Sequence, residues 1–292
     1  MDPESIFWIC LFVVLLFKVV LAILNPGYMR TLLSYLFFLL VAGTLSESSA
    51  LFAQRSAQRP VYGHGEELHY VMNYGFITGG RGFLSIRDTV LNGKKVQHMS
   101  GLAYTVGLAD AIYKIRDKYE SFVDVETDYP IKSIRNIREG RYRYYNEVLY
   151  HHGPDSTRIV SQKSGEKYVA PNIYDIVTAF YIGRKKYFND NLVKGQTVEI
   201  MTYFSDEEFP LRIRYQGLET IHTKFGKLEC YKFAPVTEVG RSFKTDEDMH
   251  IWITRDQNRI PVRVKFNLVV GSFTCDLEQF RGLQNPFSSF VP

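Results

Sequence analysis

Residues 68–76 read LHYVMNYGF, and the larger apolar or aromatic side chains fall on every second position. Leu68, Tyr70 and Met72 belong to one alternating set, and His69 belongs to the other. Because successive side chains of a β-strand point to opposite faces of the sheet, this spacing predicts a strand with one buried face.

Turn signals separate this segment from further strands. Gly79-Gly80-Arg81-Gly82 predicts a turn, and 83–90 a second strand. Asn92-Gly93 predicts a hairpin, because the central residues of its favoured turn need positive φ, which Asn and Gly tolerate. The other predicted strands are 95–104, 119–125, 132–139, 141–150, 197–203, 211–215, 219–223, 228–235, 249–254, 262–270 and 272–280.

Two segments have helical spacing instead. Residues 107–118 predict a short helix, and residues 173–186 place apolar side chains from Ile173 to Phe180 on one helical face. Asn172 is the predicted N-cap of the second helix. The fold class that follows is mostly β: an antiparallel β-barrel or strongly curved sheet with one or two short helices.

Composition excludes several classes of protein. The chain has 292 residues, of which 46% are hydrophobic and 23% charged, which excludes a disordered chain. Its three cysteines are too few for a disulfide-dense small domain. The net charge of +4 does not indicate a nucleic-acid partner, which would call for a larger basic excess.

The N-terminal region allows two interpretations. Residues 6–24 are apolar apart from Lys18 and are about long enough to cross a bilayer. Residues 32–42 form a shorter apolar run preceded by Met29 and Arg30, which is typical of a secretory signal peptide.

In the favoured interpretation, translation begins at Met29. Residues 1–28 are then a mis-called extension or a membrane segment, 29–54 a signal peptide, and 55–292 a single exported β domain. The predicted location is the periplasm. In the alternative, residues 6–24 anchor the protein in the inner membrane.

Four motifs, taken in order, resemble the exported bacterial family catalogued as domain of unknown function 3108. They are GEELHY at 65–70, DIVTAFY at 175–181, GLETI at 217–221 and IWITRD at 251–256. The resemblance covers most of residues 60–280. It implies an envelope protein of Gram-negative bacteria with a mostly antiparallel β architecture, and it carries over no catalytic residues.

Motifs for catalysis are missing from the sequence. It contains no G-x-S-x-G, H-E-x-x-H or P-loop pattern. His151 and His152 are neighbours on a predicted strand and would point to opposite faces, so we predict no metal site and no cofactor. Acidic clusters at 206–208 and 246–248 could serve a hydrolase, although charged loops are usually solvated.

Cys230 and Cys275 are the two cysteines of the exported segment. In an oxidising compartment they could form a disulfide. The alternative is two buried thiols on strands. The sequence leaves both alternatives open.

One predicted strand is crowded with tyrosines. Tyr142, Tyr144 and Tyr150 share one face, and Arg141 and Arg143 lie on the other. Tyr suits a pocket lining because it joins an apolar body to a polar tip. We predict these five residues as ligand-binding, with the arginines at the rim for a head group.

The leading hypothesis is a non-catalytic cell-envelope protein that binds a lipid, a glycan or an outer-membrane partner. The alternatives are a hydrolase acting on envelope polymers and a structural module that adds a partner's strand to an open sheet edge. A deep apolar cavity would favour lipid binding.

Overall fold

The computed structural model describes residues 59–236, 249–267 and 271–291. Within these ranges, fourteen strands form one sheet in which all neighbouring strands are antiparallel. The strands are β1 (Glu67–Tyr74), β2 (Ile77–Leu91), β3 (Lys94–Thr105), β4 (Arg116–Asp124), β5 (Pro130–Glu139), β6 (Tyr142–His152), β7 (Thr157–Ser161), β8 (Gly165–Val169), β9 (Thr197–Phe204), β10 (Glu207–Thr223), β11 (Gly226–Pro235), β12 (Met249–Thr254), β13 (Pro261–Asn267) and β14 (Ser272–Arg281). The predicted mostly-β, antiparallel fold class is therefore confirmed.

The sheet consists of two meanders joined through β1 and β14. Strands β1 to β8 follow one another in space, as do β9 to β14, and β1 pairs with β14. Leu68, Tyr70 and Met72 of β1 are almost completely buried, as their alternation predicts. Strand β1 thus lies in the middle of the sheet, where its buried face contributes to the main core.

The predicted turn at 79–82 is wrong. These residues belong to β2, where Gly80 pairs with Met72 and Gly82 with Tyr70. The chain turns earlier, at Gly75, which adopts φ 56°. At Gly79 an added Cβ would lie 3.6 Å from the Cβ of Ala109, an ordinary van der Waals distance, so packing there does not require glycine.

The predicted hairpin at Asn92-Gly93 is confirmed. Asn92 and Gly93 have φ of 52° and 80°. They connect Leu91 to its partner Lys94 on the next strand. This is the two-residue hairpin connection in which both central residues have positive φ.

Both predicted helices exist but are shorter than expected. Helix α1 is Gly107–Ile112. Helix α2 is Ile176–Ile182 and continues into one π-helical turn, Gly183–Tyr187. The N-cap of α2 is Asp175, not Asn172 as predicted. Asn172 adopts φ 59° in the preceding loop.

The sheet curls until its two edge strands approach each other. In the described part of the chain, no backbone ladder joins β8 to β9. Tyr174, just before α2, covers the β9 edge: its N–H donates to the Met201 carbonyl at 3.0 Å, and its carbonyl accepts from the Tyr203 N–H at 2.8 Å. The hydroxyls of Ser161 and Ser164 donate to Asp206 across the remaining gap.

Helix α2 lies inside the curved sheet rather than on its outer surface. Six of its seven residues are buried, including Ala179, Tyr181 and Ile182 with no exposed surface. No helix in the described ranges is long and apolar enough to cross a membrane. The predicted segments 1–28 and 29–54 and the acidic cluster 246–248 lie outside the described residues.

Candidate ligand-binding site

Helix α2 separates two pockets in the interior of the curved sheet. Ile176 and Val177, in its first turn, line both of them. On one side is a polar pocket, lined mainly by β4–β6 and the β9–β10 turn. On the other is an apolar cavity enclosed by α2, β1, β2 and β9–β14.

The apolar cavity has a volume of about 100 Å³. Its wall includes Ala179 from α2, Val198 from β9, Phe233 from β11 and Val264 from β13, all nearly or completely buried. The hydroxyl of Tyr70 also reaches this wall but donates to the carbonyl of Pro261 at 3.0 Å. The cavity is therefore a place for apolar groups.

The mouth of this cavity lies on one side of the wall. Leu211, Phe180 and Ile251 are only partly buried, whereas the other lining residues are buried. Leu211 and Ile251 lie near the beginnings of β10 and β12. The cavity is therefore least enclosed at the end of the sheet where these two strands begin.

The polar pocket is smaller, at about 40 Å³. The guanidinium of Arg135 stands at its side, 4.8 Å from the ring centres of both Tyr144 and Phe204. Its Nη1 donates to the Ser205 hydroxyl at 3.0 Å. A cation held against aromatic faces is a pre-positioned partner for an anionic group.

Asp175 lies on the floor of the polar pocket and is buried. Its Oδ1 accepts from the N–H groups of Val177 and Thr178, and its Oδ2 from the hydroxyls of Ser121 and Thr178. Burial raises the pKa of Asp175 and outweighs these hydrogen bonds, which lower it. The carboxyl anchors α2 to β4.

Asp206 lies on the opposite side of the polar pocket. Burial raises its pKa, but hydrogen bonds from Ser161, Ser164 and Asn146 outweigh burial, so the net pKa is lowered. The Ser161 and Ser164 bonds are 2.6 and 2.8 Å long. This carboxylate, from the predicted acidic cluster 206–208, holds the β7–β8 turn to the β9–β10 turn.

The predicted ligand residues divide into two groups. Tyr144 and Tyr150 line the polar pocket. Tyr142, Arg141 and Arg143 are exposed and lie away from it. The Nη1 of Arg143 donates to the carbonyls of Gly140 and Tyr142 at 2.8 and 2.7 Å, so it lies over the β5–β6 turn.

The cation that lines this pocket is Arg135, which is not among the ligand-binding residues predicted from the sequence. It lies on β5, next to the predicted tyrosine strand, and Arg135 pairs with Asn146 in the ladder. Tyr144 and Tyr150 of the aromatic-rich β6 form one wall of the pocket. The identity of the facing cation depends on strand register, which the sequence pattern did not supply.

Cys230 and Cys275 are both buried thiols and do not form a disulfide. They lie on β11 and β14, with β12 and β13 between them. Three interstrand spacings amount to roughly 14 Å, about twice the Cα separation that a disulfide can bridge. Of the two alternatives, the structure thus shows the buried thiols.

A family model described as "Protein of unknown function (DUF3108)" matches residues 69–278. The chain belongs to this family. The match runs from β1 into β14 and so includes both pockets. A search of curated proteins finds no match.

Solved structures that are similar to this chain include the following three. A beta-barrel-like protein of the DUF1849 family from Brucella abortus is 8% identical, with a TM-score of 0.47, covering 75% of this chain and 98% of its own. A candidate lipoprotein from Parabacteroides distasonis is 10% identical, with a TM-score of 0.31 and coverages of 77% and 100%. A candidate exported protein with a YmcC-like fold from Bacteroides fragilis is 9% identical, with a TM-score of 0.29 and coverages of 78% and 100%. At these identities and TM-scores we draw no functional inference from the likeness.

Proposed function

We propose that this protein is a non-catalytic, exported cell-envelope protein that binds a lipid by taking the end of its acyl chain into the apolar cavity. The cavity itself is the observation that carries the proposal. Its wall consists of buried apolar side chains, and its one tyrosine hydroxyl is already hydrogen-bonded within the protein. Such a wall favours a chain of methylene groups over a sugar.

The size of the cavity limits what enters it. In general, an apolar cavity of about 150 Å³ stays dry and holds one benzene ring. A cavity of about 100 Å³ is therefore suited to the end of an acyl chain, not to a whole lipid. The remainder of the chain passes between Leu211 and Ile251 at the mouth.

The export part of the proposal is supported by the sequence of residues 29–54. A positive charge, an apolar core and a run of small residues follow one another there, as in a secretory signal peptide. The periplasm is the compartment in which the predicted domain 55–292 would then meet lipid.

The acidic residues give less support to the hydrolase alternative. The Asp206 carboxylate accepts from two serine hydroxyls and an amide, and Glu208 Oε1 accepts from the Ala170 N–H at 3.1 Å. Both carboxylates bridge elements of the sheet. A general acid or base would instead need to reach a substrate proton.

The proposal is tested by titrating the protein with cis-parinaric acid, a fluorescent fatty acid, in solution without vesicles. We expect saturable binding to the parent protein and weaker binding to Ala179→Leu, whose added side chain fills the cavity. Each excluded methylene removes about 0.8 kcal/mol of apolar transfer free energy. Loss of two methylenes thus weakens binding by about fifteenfold.

The matched control is Ile86→Val, a core substitution outside the cavity lining. It removes about 0.5–1.5 kcal/mol of stability without filling the cavity. We expect it to bind like the parent protein. Equal binding by the parent and Ala179→Leu would refute the cavity as the site.

A further inference from the structure

An exposed apolar surface lies at one end of the curved sheet. The side chains of Phe76, Ile77, Leu108 and Ile112 are 92%, 45%, 66% and 48% exposed. We call these four residues the apolar tip. Exposed apolar residues scattered singly are ordinary, but a cluster indicates an interaction site.

Backbone contacts bring the two parts of the apolar tip together. Phe76 lies in the β1–β2 turn and Ile77 begins β2, whereas Leu108 and Ile112 lie on α1. The N–H of Val106, which precedes α1, donates to the carbonyl of Gly79 at 3.0 Å. Leu108 and Ile112 are four residues apart and lie on the same side of the helix.

A group of exposed cations lies beside the apolar tip. Lys114 follows α1, and its carbonyl accepts from the N–H of Gly140 at 2.8 Å. This contact sets the β5–β6 turn, with Arg141 and Arg143, against the end of α1. We call the exposed residues Lys114, Arg141 and Arg143 the cationic rim.

Among the described residues, the acids of α1 and of the end of β5 do not cancel the charge of the cationic rim. Asp110, on α1, is paired with Arg116 at 2.7 Å. Glu139, at the end of β5, is buried with 1% of its surface exposed. The rim therefore keeps a positive charge toward solvent.

The mouth of the apolar cavity faces the same end of the sheet. Ile251 pairs with Val264, Val264 with Cys275, and Cys275 with Met72. Ile251 is thus level with Met72, a few residues from the turn that carries Phe76. The cavity opens toward the end where the apolar tip projects.

We infer that this end of the protein docks on the surface of a lipid bilayer containing anionic lipids. The apolar tip enters the acyl boundary, and the cationic rim lies at the phosphate groups. Apolar side chains flanked by Lys and Arg are what binding at a membrane interface requires. The inference extends the proposed lipid-binding function, because docking would place the cavity mouth next to lipid.

The test places a tryptophan at each end of β2. Phe76→Trp reports on the apolar tip, and Val90→Trp is the matched control at the far end of the same strand, where Val90 is 63% exposed. Each protein is produced from the full-length gene and mixed with vesicles of phosphatidylglycerol or of brominated phosphatidylglycerol. Difference spectra against the parent protein remove the emission of Trp8 and Trp252.

We expect the emission of Phe76→Trp to move to shorter wavelength and to be quenched by the brominated lipid, with no change for Val90→Trp. Vesicles of phosphatidylcholine should give a much weaker response. Equal responses at the two positions, or no response at either, would overturn the inference. An equal response to both lipids would overturn the role of the cationic rim.

The charges are tested in the Phe76→Trp background. Changing Lys114, Arg141 and Arg143 to Gln should weaken the vesicle response by about fivefold for each charge removed. The control changes Lys95, Lys224 and Lys227, exposed at the opposite end, to Gln. It removes the same charge, so an equal loss in both variants would show non-specific attraction and contradict docking through this end.

The two proposals fail separately. The parinaric acid titration contains no bilayer. If the protein binds this probe but the emission of Phe76→Trp does not respond to vesicles, the cavity proposal stands and the docking proposal is refuted. If the tryptophan responds to vesicles but the protein does not bind the probe, the docking proposal stands and the cavity proposal is refuted.

Discussion

The guanidinium of Arg184 and the carboxylate of Glu66 form a fully buried ion pair. Arg184 Nη1 donates to Glu66 Oε1 at 2.6 Å, and Nη2 to Oε2 at 2.8 Å, with neither side chain exposed to solvent. Arg184 also donates to the carbonyl of Asn258. The pair fastens the turn after α2 to the chain segment that enters β1, and so fixes α2 inside the sheet.

Removing one partner of this pair should strongly destabilise the protein. Arg184→Met leaves the Glu66 carboxylate buried without its cation, and we expect a loss of about 3–5 kcal/mol in the free energy of unfolding. The double variant Glu66→Leu/Arg184→Met should recover much of that loss. Urea unfolding measures both.

The control for that experiment is Arg212→Met, which removes a cation from an exposed pair with Glu199. Exposed pairs contribute about 1 kcal/mol or less. If Arg184→Met lowers the free energy of unfolding as little as Arg212→Met does, the buried pair is not important for stability.

Asp175 should make the stability of the protein fall as pH rises. Its pKa in the folded protein is raised by burial above the ordinary value of 3.8. The folded state therefore holds the proton more tightly than the unfolded state does. Its contribution is fully present below the unfolded pKa and is lost as pH rises through the folded pKa.

Urea unfolding as a function of pH tests this contribution. Asp175→Asn should flatten the fall in stability above pH 3.8. Asp206→Asn should instead flatten the fall in stability that occurs as the pH is lowered. The lowered pKa of Asp206 gives stability above its unfolded pKa that is lost on acidification. The same pH profile for the parent protein and Asp175→Asn would contradict the assignment.

The two buried cysteines should be inert in the folded protein. Burial raises the pKa of the Cys230 thiol to about 12, so little thiolate exists near neutral pH. We expect no reaction of Cys230 or Cys275 with iodoacetamide until a denaturant is added. A mass lower by two hydrogens without reductant would instead indicate a disulfide.

Export should remove the N-terminal segment. If residues 29–54 act as a signal peptide, peptide mapping of the protein recovered from the periplasm should find no peptide from residues 1–54. Retention of residues 6–24 in protein recovered from the inner membrane would favour the anchored alternative.

Much of the fold could be predicted because local patterns report it directly. Alternation marked β1, and Asn92-Gly93 marked a hairpin that needs positive φ. Strands β7 and β8 were missed, since five-residue strands offer little alternation. The glycines at 79–82 looked like a turn because glycine is typical of turns, yet Gly80 and Gly82 pair with β1.

The candidate site was harder to predict because it depends on how distant strands meet. Tyr144 and Tyr150 were identified from aromatic crowding on one strand. Arg135 and the apolar cavity depend on sheet curvature and on α2 lying inside the sheet. The Arg184–Glu66 pair joins residues 118 positions apart, so no local pattern around either residue predicts it.

Native mass spectrometry of the protein purified from a bacterial periplasm, followed by organic extraction, tests the lipid-binding claim most directly. We expect a stoichiometric adduct that extracts as an acyl lipid and is less abundant on Ala179→Leu, which binds it more weakly. A parent protein whose mass matches the polypeptide alone, and which takes up no lipid when phosphatidylglycerol is added, would contradict it.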